Sequence, residues 1–342
     1  MTTQRHDSPA PPAVATTTPA ARTPPPPLSP PTAPRPAPSL TDTESAVLLG
    51  LYQHRLLTTA QVHALHTPTS GITWTQYVLR RLTLADLIGY VRQADRSHRH
   101  VWFVTDLGAQ LAESTGQVRA RPAYRPTPAA AAGPLQAHTL GCNEIGLAFV
   151  RAARVLGDDC GPGSWHHEWA ARVADRTPGA ARWSNMLVSD LLLRYLHRGS
   201  GGDQAAVRLV EYDRNHRDLD DVLTQLRAYA HYHAYVPGGG SRPLWQRDHG
   251  PVFPRVLLVL DRGSPAALAT RRRSLTWMCQ QDPLLTRHAA ALGLLATTLD
   301  DLVAHGPWAP VFWPLTGDVV ETPVTWTGQP EPPDSARQVG RG

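Results

Sequence analysis

The chain has 342 residues, room for two domains at roughly 100–200 residues each, and its 42% hydrophobic, 18% charged make-up with 33 Pro suits a soluble globular protein carrying Pro-rich segments. No apolar run reaches the ~18–20 residues of a spanning helix, and the N-terminus lacks the apolar stretch of a secretory leader, so a cytoplasmic home without membrane contact is expected. Net charge is +5, an excess that permits nucleic-acid binding without establishing it.

Every basic residue in the Lys+Arg total of 33 is Arg. GC-rich coding explains this most simply, and any mechanism needing a lysine ammonium must do without one. Cys142, Cys160 and Cys279 are far apart and odd in number, which excludes a disulfide framework and a paired-Cys zinc site.

Residues 1–39 are Pro, Ala and Thr with scattered Arg, too poor in apolar surface to offset the entropy of ordering, and read as a disordered tail. The segment 40–117 opens with Thr41-Asp-Thr-Glu44, a helix N-cap with an acidic residue three positions on, and Thr58-Thr-Ala-Gln61 repeats that signal. Thr73 to Leu84 reads as a third helix, with Tyr77, Val78 and Leu82 toward the core. Two β-like runs, Leu87 to Val91 and Val101 to Val104, flank an Arg/His-rich tip. Three helices followed by a hairpin is the order of a winged helix-turn-helix DNA-binding domain. On that reading Arg80, Arg81, Arg92, Arg96 and Arg99 contact phosphates, and Thr73, Thr75 and Gln76 stand near base edges. Winged helices also serve as protein-interaction modules, with such Arg simply solvated.

A Pro/Ala-rich stretch at 118–134 reads as a linker, and 328–342 as a disordered tail. Between them, 135–327 alternates: a helix from His138 to Leu156, strands at Trp165–Val173, Asn185–Leu193 and Val207–Tyr212, a helix at Asp218–Tyr235, and the apolar strand Arg255–Leu260. A Ser264-capped helix follows, then strands at Ala290–Thr297 and Val311–Pro314. The fold class is α/β, a winged helix-turn-helix followed by a mixed α/β domain.

Its most informative constellation is Asp190, then Glu211-Tyr-Asp213, then Gln225 to Tyr229 on the following helix. Two carboxylates on adjacent strand ends could hold Mg²⁺ and activate water against a phosphodiester. That layout resembles the PD-(D/E)xK nuclease core, with Asp190 and Glu211 as metal ligands, Asp213 and Gln225 completing the catalytic set, and the Gln225/Tyr229 spacing of one nuclease branch. Ser189 stands where that superfamily has Pro, and Asp213 where it has Lys, leaving Arg214 as the nearest cation in sequence. Carboxylates at strand ends also cap backbone without chemistry.

The pair His231/His233 differs from the two-His metal motif of plasmid-nicking enzymes, because on a helix the two rings point about 200° apart. His166-His-Glu168 reads as strand surface, and Arg271-Arg-Arg273 as a solvated run or a DNA-backbone contact. Glu144 faces either the acidic cluster or solvent, and Trp308 and Trp313 read as core or edge packing.

Taken together, the residues Leu40 to Val47, Leu57 to Gln61, His138 to Glu144, Val210 to Arg214, Leu226 to Tyr229, Thr297 to Leu302, His305 to Pro307 and Trp313 resemble the replication-relaxation family found on plasmids and mobile elements of GC-rich actinobacteria. The resemblance implies a DNA-binding accessory protein in plasmid replication and DNA relaxation, with double-stranded plasmid DNA as partner and replication or transfer proteins as further candidates. Two alternatives stay open. One is a Mg²⁺-dependent endonuclease; the other is a winged-helix transcriptional regulator acting as a homodimer.

Overall fold

A computed structural model describes residues 39–93, 99–121, 127–175, 185–199, 202–317 and 322–329. The expected tails lie outside these residues apart from Ser39, Gly328 and Gln329, as does Arg96 at the wing tip. Helix α1 (Asp42–His54) begins at the expected capping box: Thr41 Oγ1 accepts from Glu44 N, and Glu44 Oε2 accepts from Thr41 N at 2.9 Å. Strand β1 (Leu57–Thr58) leads into α2 (Thr59–His66), which starts with the same reciprocal pair between Thr58 and Gln61. Then come α3 (Ile72–Leu84), β2 (Ile88–Arg92), β3 (His100–Val104) and α4 (Asp106–Ser114). The three strands pair antiparallel in the order β1-β3-β2, matching the expected winged-helix arrangement.

The phase of α3 departs from expectation. Its buried face is Thr75, Val78, Leu79 and Leu82, while Tyr77 is exposed. Thr75 Oγ1 lies 2.9 Å from His63 Nδ1 and 2.6 Å from Thr67 Oγ1. This polar cluster, which carries no hydrophobic signal, rotates the helix.

After α5 (Pro128–Ala131) and α6 (Gln136–Leu156) comes a six-stranded sheet: β4 (Trp165–Arg172), β5 (Met186–Gly199), β6 (Gly202–Asp213), β7 (Arg255–Leu260), β8 (Leu295–Thr298) and β9 (Trp313–Pro314), adjacent in that order. Strands β4 to β6 form an antiparallel meander, β6, β7 and β8 run parallel, and β9 returns antiparallel. Helices α7 (Leu219–Ala234) and α8 (Leu244–His249) connect β6 to β7. The β7–β8 connection holds α9 (Pro265–Gln281), α10 (Pro283–Arg287) and α11 (Ala289–Leu292), so the expected strand at Ala290 is a short helix and the strand starts at Leu295. Helix α12 (Leu299–His305) follows β8. One sheet face packs on α6 through Leu191, Leu193, Val210 and Leu257; the other packs on α7 and α9 through Leu192, Leu209, Val256 and Leu258. Among the described residues no helix is long and apolar enough to cross a membrane.

The described residues from Leu40 onward belong to one compact unit. The described part of the expected linker packs against the body, with Arg121 N donating to Tyr52 Oη at 2.8 Å and Ala131 buried beside Val101, Phe103 and Leu140. At the centre of the junction sits Asn143 of α6, fully buried. Its Nδ2 donates to Leu56 O (2.7 Å) and His54 O (3.3 Å), and its Oδ1 accepts from His167 Nε2 (2.8 Å) and Trp165 Nε1 (3.3 Å). Around it, His54 stacks on Trp165 and donates from Nε2 to Pro162 O, Gln61 Nε2 donates to Leu140 O, and Arg154 Nη2 donates to Leu65 O. His167, expected on the strand surface, is thus an interior residue, and its neighbour Glu168 pairs with Arg55 at 2.6 Å.

Each unsatisfied buried group costs about 1–3 kcal/mol, so Asn143→Leu, which strands two N–H donors, is expected to lower stability by about 3 kcal/mol or more in urea unfolding. A loss below about 1 kcal/mol would contradict the junction. The histidines at this junction give a second expectation. Burial pushes His54 down to about 3 and His66 to about 4, and holds His167 well below the usual range. Below pH 6.5 the unfolded chain therefore binds protons that the folded chain refuses, and stability falls by roughly 1.4 kcal/mol per pH unit for each such histidine. Urea midpoints should drop from pH 7 to pH 5, with a shallower drop in His54→Gln; identical midpoints would refute neutral burial.

Candidate functional site

Asp190 and Glu211 lie near the point where β5 and β6 part, one turned toward α6 and the other toward α7. Regular pairing of the two strands begins at Leu191↔Val210. Just outside it, Asp190 Oδ2 accepts from the Tyr212 backbone N–H at 2.8 Å, occupying the place of a ladder bond. Pairing with β4 is interrupted at the same point: His167↔Leu191 and Trp169↔Ser189 are in register, but Glu168, with φ 51°, and Asp190 are not paired. This local break turns the Asp190 carboxylate toward α6, where Oδ1 meets His138 Nε2 at 3.1 Å.

Glu211 is on the opposite face of β6, almost fully buried under α7. Gln225 and Tyr229, one helical turn apart on α7, both reach its Oε1: Gln225 Nε2 donates at 3.0 Å and Tyr229 Oη donates in a short bond. Its Oε2 faces Arg217 Nη2 at 3.7 Å. Burial, and then the nearby Asp190 charge, push the Glu211 carboxyl up to about 8. Gln225 also holds Val188 O at 2.9 Å, and Ser189, which replaces the expected Pro, donates to Val210 O.

Asp213 does not join the pair. It is buried and held by Arg271 Nε at 2.7 Å, while Arg271 Nη2 donates to Arg217 O. The first Arg of the run 271–273 is thereby a structural counter-ion; Arg272 lies over Trp313 at 3.9 Å and Arg273 donates to Thr270. Arg214 does not approach the acids either, and instead lines a cleft of about 470 Å³ with Arg262, Gln93 and Gln136. Glu144 points away from the cluster, to Gln61 Nε2 at 2.9 Å. His233 Nδ1 meets His288 Nδ1 at 3.0 Å instead of partnering His231.

On the winged-helix side, Thr73, Gln76, Arg80, Arg92 and Arg99 are exposed. Thr75 is buried and cannot reach a ligand. Arg81 is engaged by the buried Glu44 carboxylate at 2.8 Å. Sequence reasoning missed the stacked, exposed pair Trp74 and Tyr77 on α3, which misassigning Tyr77 to the core had hidden. It also missed His138 and Arg217, whose partners lie 52 and six residues away, and Arg262 at the end of β7. The first turn of α6 links the two regions: Gln136 Nε2 lies 3.4 Å from Arg92 O at the base of the wing, and two residues on, His138 meets Asp190.

Asp190 and Glu211 suit a hard divalent cation, since Mg²⁺ commonly takes one or two carboxylates and keeps several waters. Among the described residues no group of three or more His, Cys, Asp or Glu stands together as a metal cage.

Fold and site define an α/β protein in which a helical layer with three strands is joined to a six-stranded mixed sheet that carries Asp190 and Glu211. Residues 48–240, more than half of the chain, match the family described as Replication-relaxation, and the chain belongs to that family. No curated protein matches it. Solved structures of Lactococcus lactis ZitR, a zinc-responsive MarR family member, show a limited likeness. One shares 19% identity over 23% of this chain and 52% of that one, with a TM-score of 0.21; a mutant of the same protein shares 21% over 22% and 51%, also at 0.21. The chain spans about half the length of these structures.

The raised Glu211 carboxyl sets a pH expectation. Between pH 4.5 and about 8 the folded chain keeps a proton that the unfolded chain has lost, so this group's stabilising contribution is present at low pH and lost as pH rises. Glu211→Gln should therefore raise the thermal midpoint relative to the parent at pH 8.5 and much less at pH 5. An equal effect at both pH values would contradict the shift.

Proposed function

We propose that this member of the replication-relaxation family is a DNA-binding accessory protein of plasmid replication and DNA relaxation, working in the cytoplasm on double-stranded plasmid DNA. The observation that carries the reading is the first turn of α6, where Gln136 holds the wing and His138 holds Asp190. DNA held by the wing and by the exposed face of α3 would run past the carboxylates, along the arginines of the adjoining cleft, Arg214 and Arg262. Thr73, Gln76 and Arg80 are the contacts proposed on α3, with Arg92 and Arg99 on the wing. Thr75 is withdrawn from that set, and Arg81 is committed to Glu44.

A second reading, a Mg²⁺-dependent endonuclease of PD-(D/E)xK type, is favoured by the element order from α6 through the β4–β6 meander and α7 to the parallel strand β7. Asp190 stands on the second strand of that unit, Glu211 on the third, and Gln225 and Tyr229 converge on Glu211. Asp190 and Glu211 would hold the ion, which would supply Lewis acidity and an activated water. Gln225 and Tyr229 would orient Glu211. Asp213, in the place of the lysine, is spent on Arg271, so the nearest cation is Arg217.

Incubation with supercoiled plasmid in Mg²⁺, Mn²⁺ or EDTA separates the two readings. The accessory reading expects retarded, uncut DNA in every lane; metal-dependent nicking that is lost in an Asp190→Ala/Glu211→Ala variant would establish the enzyme. On a duplex probe, Arg80→Ala should weaken binding and reduce the slope of log K against log salt by about 1. Unchanged binding would remove α3 from the interface.

A further inference from the structure

At the far end of β6 from the carboxylates, a cavity of about 820 Å³ opens between the first residues of β6, the entry to β7, Trp308 and Trp326. That volume lies in the range of small-molecule sites, about 300–1,000 Å³. Two arginines line it from paired positions, Arg208 of β6 opposite Arg255 of β7. Arg208 is almost fully buried, its guanidinium lies 4.7 Å over the Trp326 ring, and its Nη atoms donate only to the carbonyls of Val207 and Trp326. Arg255 Nη1 donates to Thr327 O. Neither guanidinium has a carboxylate partner among the described residues.

A buried guanidinium without a counter-ion, set beside a second one, is costly unless something anionic joins it. Burial, and then the like charge of Arg255, pull Arg208 down to about 9. Three buried nitrogens lacking any hydrogen-bond partner belong to residues lining this cavity: Arg208 Nε, Trp326 Nε1 and His249 Nε2. Apolar surface on the walls includes the half-exposed Trp308 ring, Val252 and Phe253, with His197, Gln204 and Thr327 as polar neighbours.

We infer that this cavity is a binding site for a phosphate-bearing nucleotide group, the phosphate set between Arg208 and Arg255 and the base against Trp308. The guanidinium pair supplies planar forks for phosphate oxygens, and tryptophan supplies the stacking surface for a base. A free mononucleotide and the phosphorylated end of a DNA strand share this chemistry. The inference is independent of the acidic pair and of whether the protein cuts DNA.

Calorimetric titration of the full chain in EDTA tests it, with dAMP, deoxyadenosine, inorganic phosphate, and 5′-phosphorylated and 5′-hydroxyl single-stranded oligonucleotides as probes. dAMP is expected to bind at least tenfold more tightly than deoxyadenosine or phosphate alone. Arg255→Gln should weaken dAMP at least tenfold with an unchanged thermal midpoint. Should that variant lose stability, Gln204→Glu, an exposed change at the mouth, is expected to weaken dAMP several-fold and leave deoxyadenosine unaffected. Preference for the phosphorylated over the hydroxyl oligonucleotide, with dAMP competing, identifies a strand end as the source; preference for dAMP over both oligonucleotides identifies a free nucleotide. Absence of dAMP binding, equal affinity for dAMP and deoxyadenosine, or indifference to both substitutions would overturn the assignment.

Discussion

Four hydrogen bonds to one buried amide, that of Asn143, fix the winged-helix layer against the sheet. An asparagine side chain offers two donors and two acceptor lone pairs, and here all four are used in the interior. The two backbone carbonyls it serves close α1 and lead into β1, while the two ring N–H groups belong to β4. Because the amide itself is fully buried and its partners come from both layers, the layers cannot slide without abandoning several polar groups at once. The junction therefore behaves as part of one core, and the orientation of the wing is a property of the fold.

Everything that positions the candidate site follows from the helix that carries Asn143. Gln136, His138 and Asn143 occupy the first two turns of α6, and they reach the wing, the acidic strand end and the junction in that order. Asp190 is held by this helix on one oxygen and by the Tyr212 backbone on the other. Part of its role is plainly structural, since it satisfies an N–H at the point where two strands diverge. Glu211 has no such duty to the backbone. It is buried at a cost, and Tyr229 and Gln225 offset part of that cost by donating to its carboxylate. Two dedicated donors on one helical face thus hold this carboxyl in the interior.

Local chemistry was legible in the sequence, and chemistry between distant residues was not. The capping boxes at Thr41 and Thr58 involve residues three apart, and both form as their spacing requires. The Gln225/Tyr229 spacing places both side chains on one helical face, and both reach Glu211. The phase of α3 failed because apolar pattern reads Tyr77 inward and Thr75 outward, whereas a three-residue polar cluster with His63 and Thr67 buries the threonine. Contacts of the early helices with α6, such as Gln61 to Leu140 and Arg154 to Leu65, span 79 and 89 residues and are made to backbone carbonyls, so local sequence carries no sign of them. Asp213 was assigned by its position two residues after Glu211, and nothing local announces that Arg271, 58 residues later, takes it.

The pairing of Asp213 changes what the site can accept. Asp213 is paired with Arg271, Asp190 meets His138, the Glu211 carboxyl is pushed up to about 8 by burial and the nearby Asp190 charge, and Asp261 after β7 accepts from Tyr212 Oη. Arg214 and Arg262, each next in sequence to one of these acids, line the cleft that Gln93 and Gln136 share. A divalent cation would bind Asp190 and Glu211 only by displacing the Glu211 proton, so its occupancy would rise with pH. On the second proposed reading, ionisation of Glu211 therefore sets how readily these acids accept a cation.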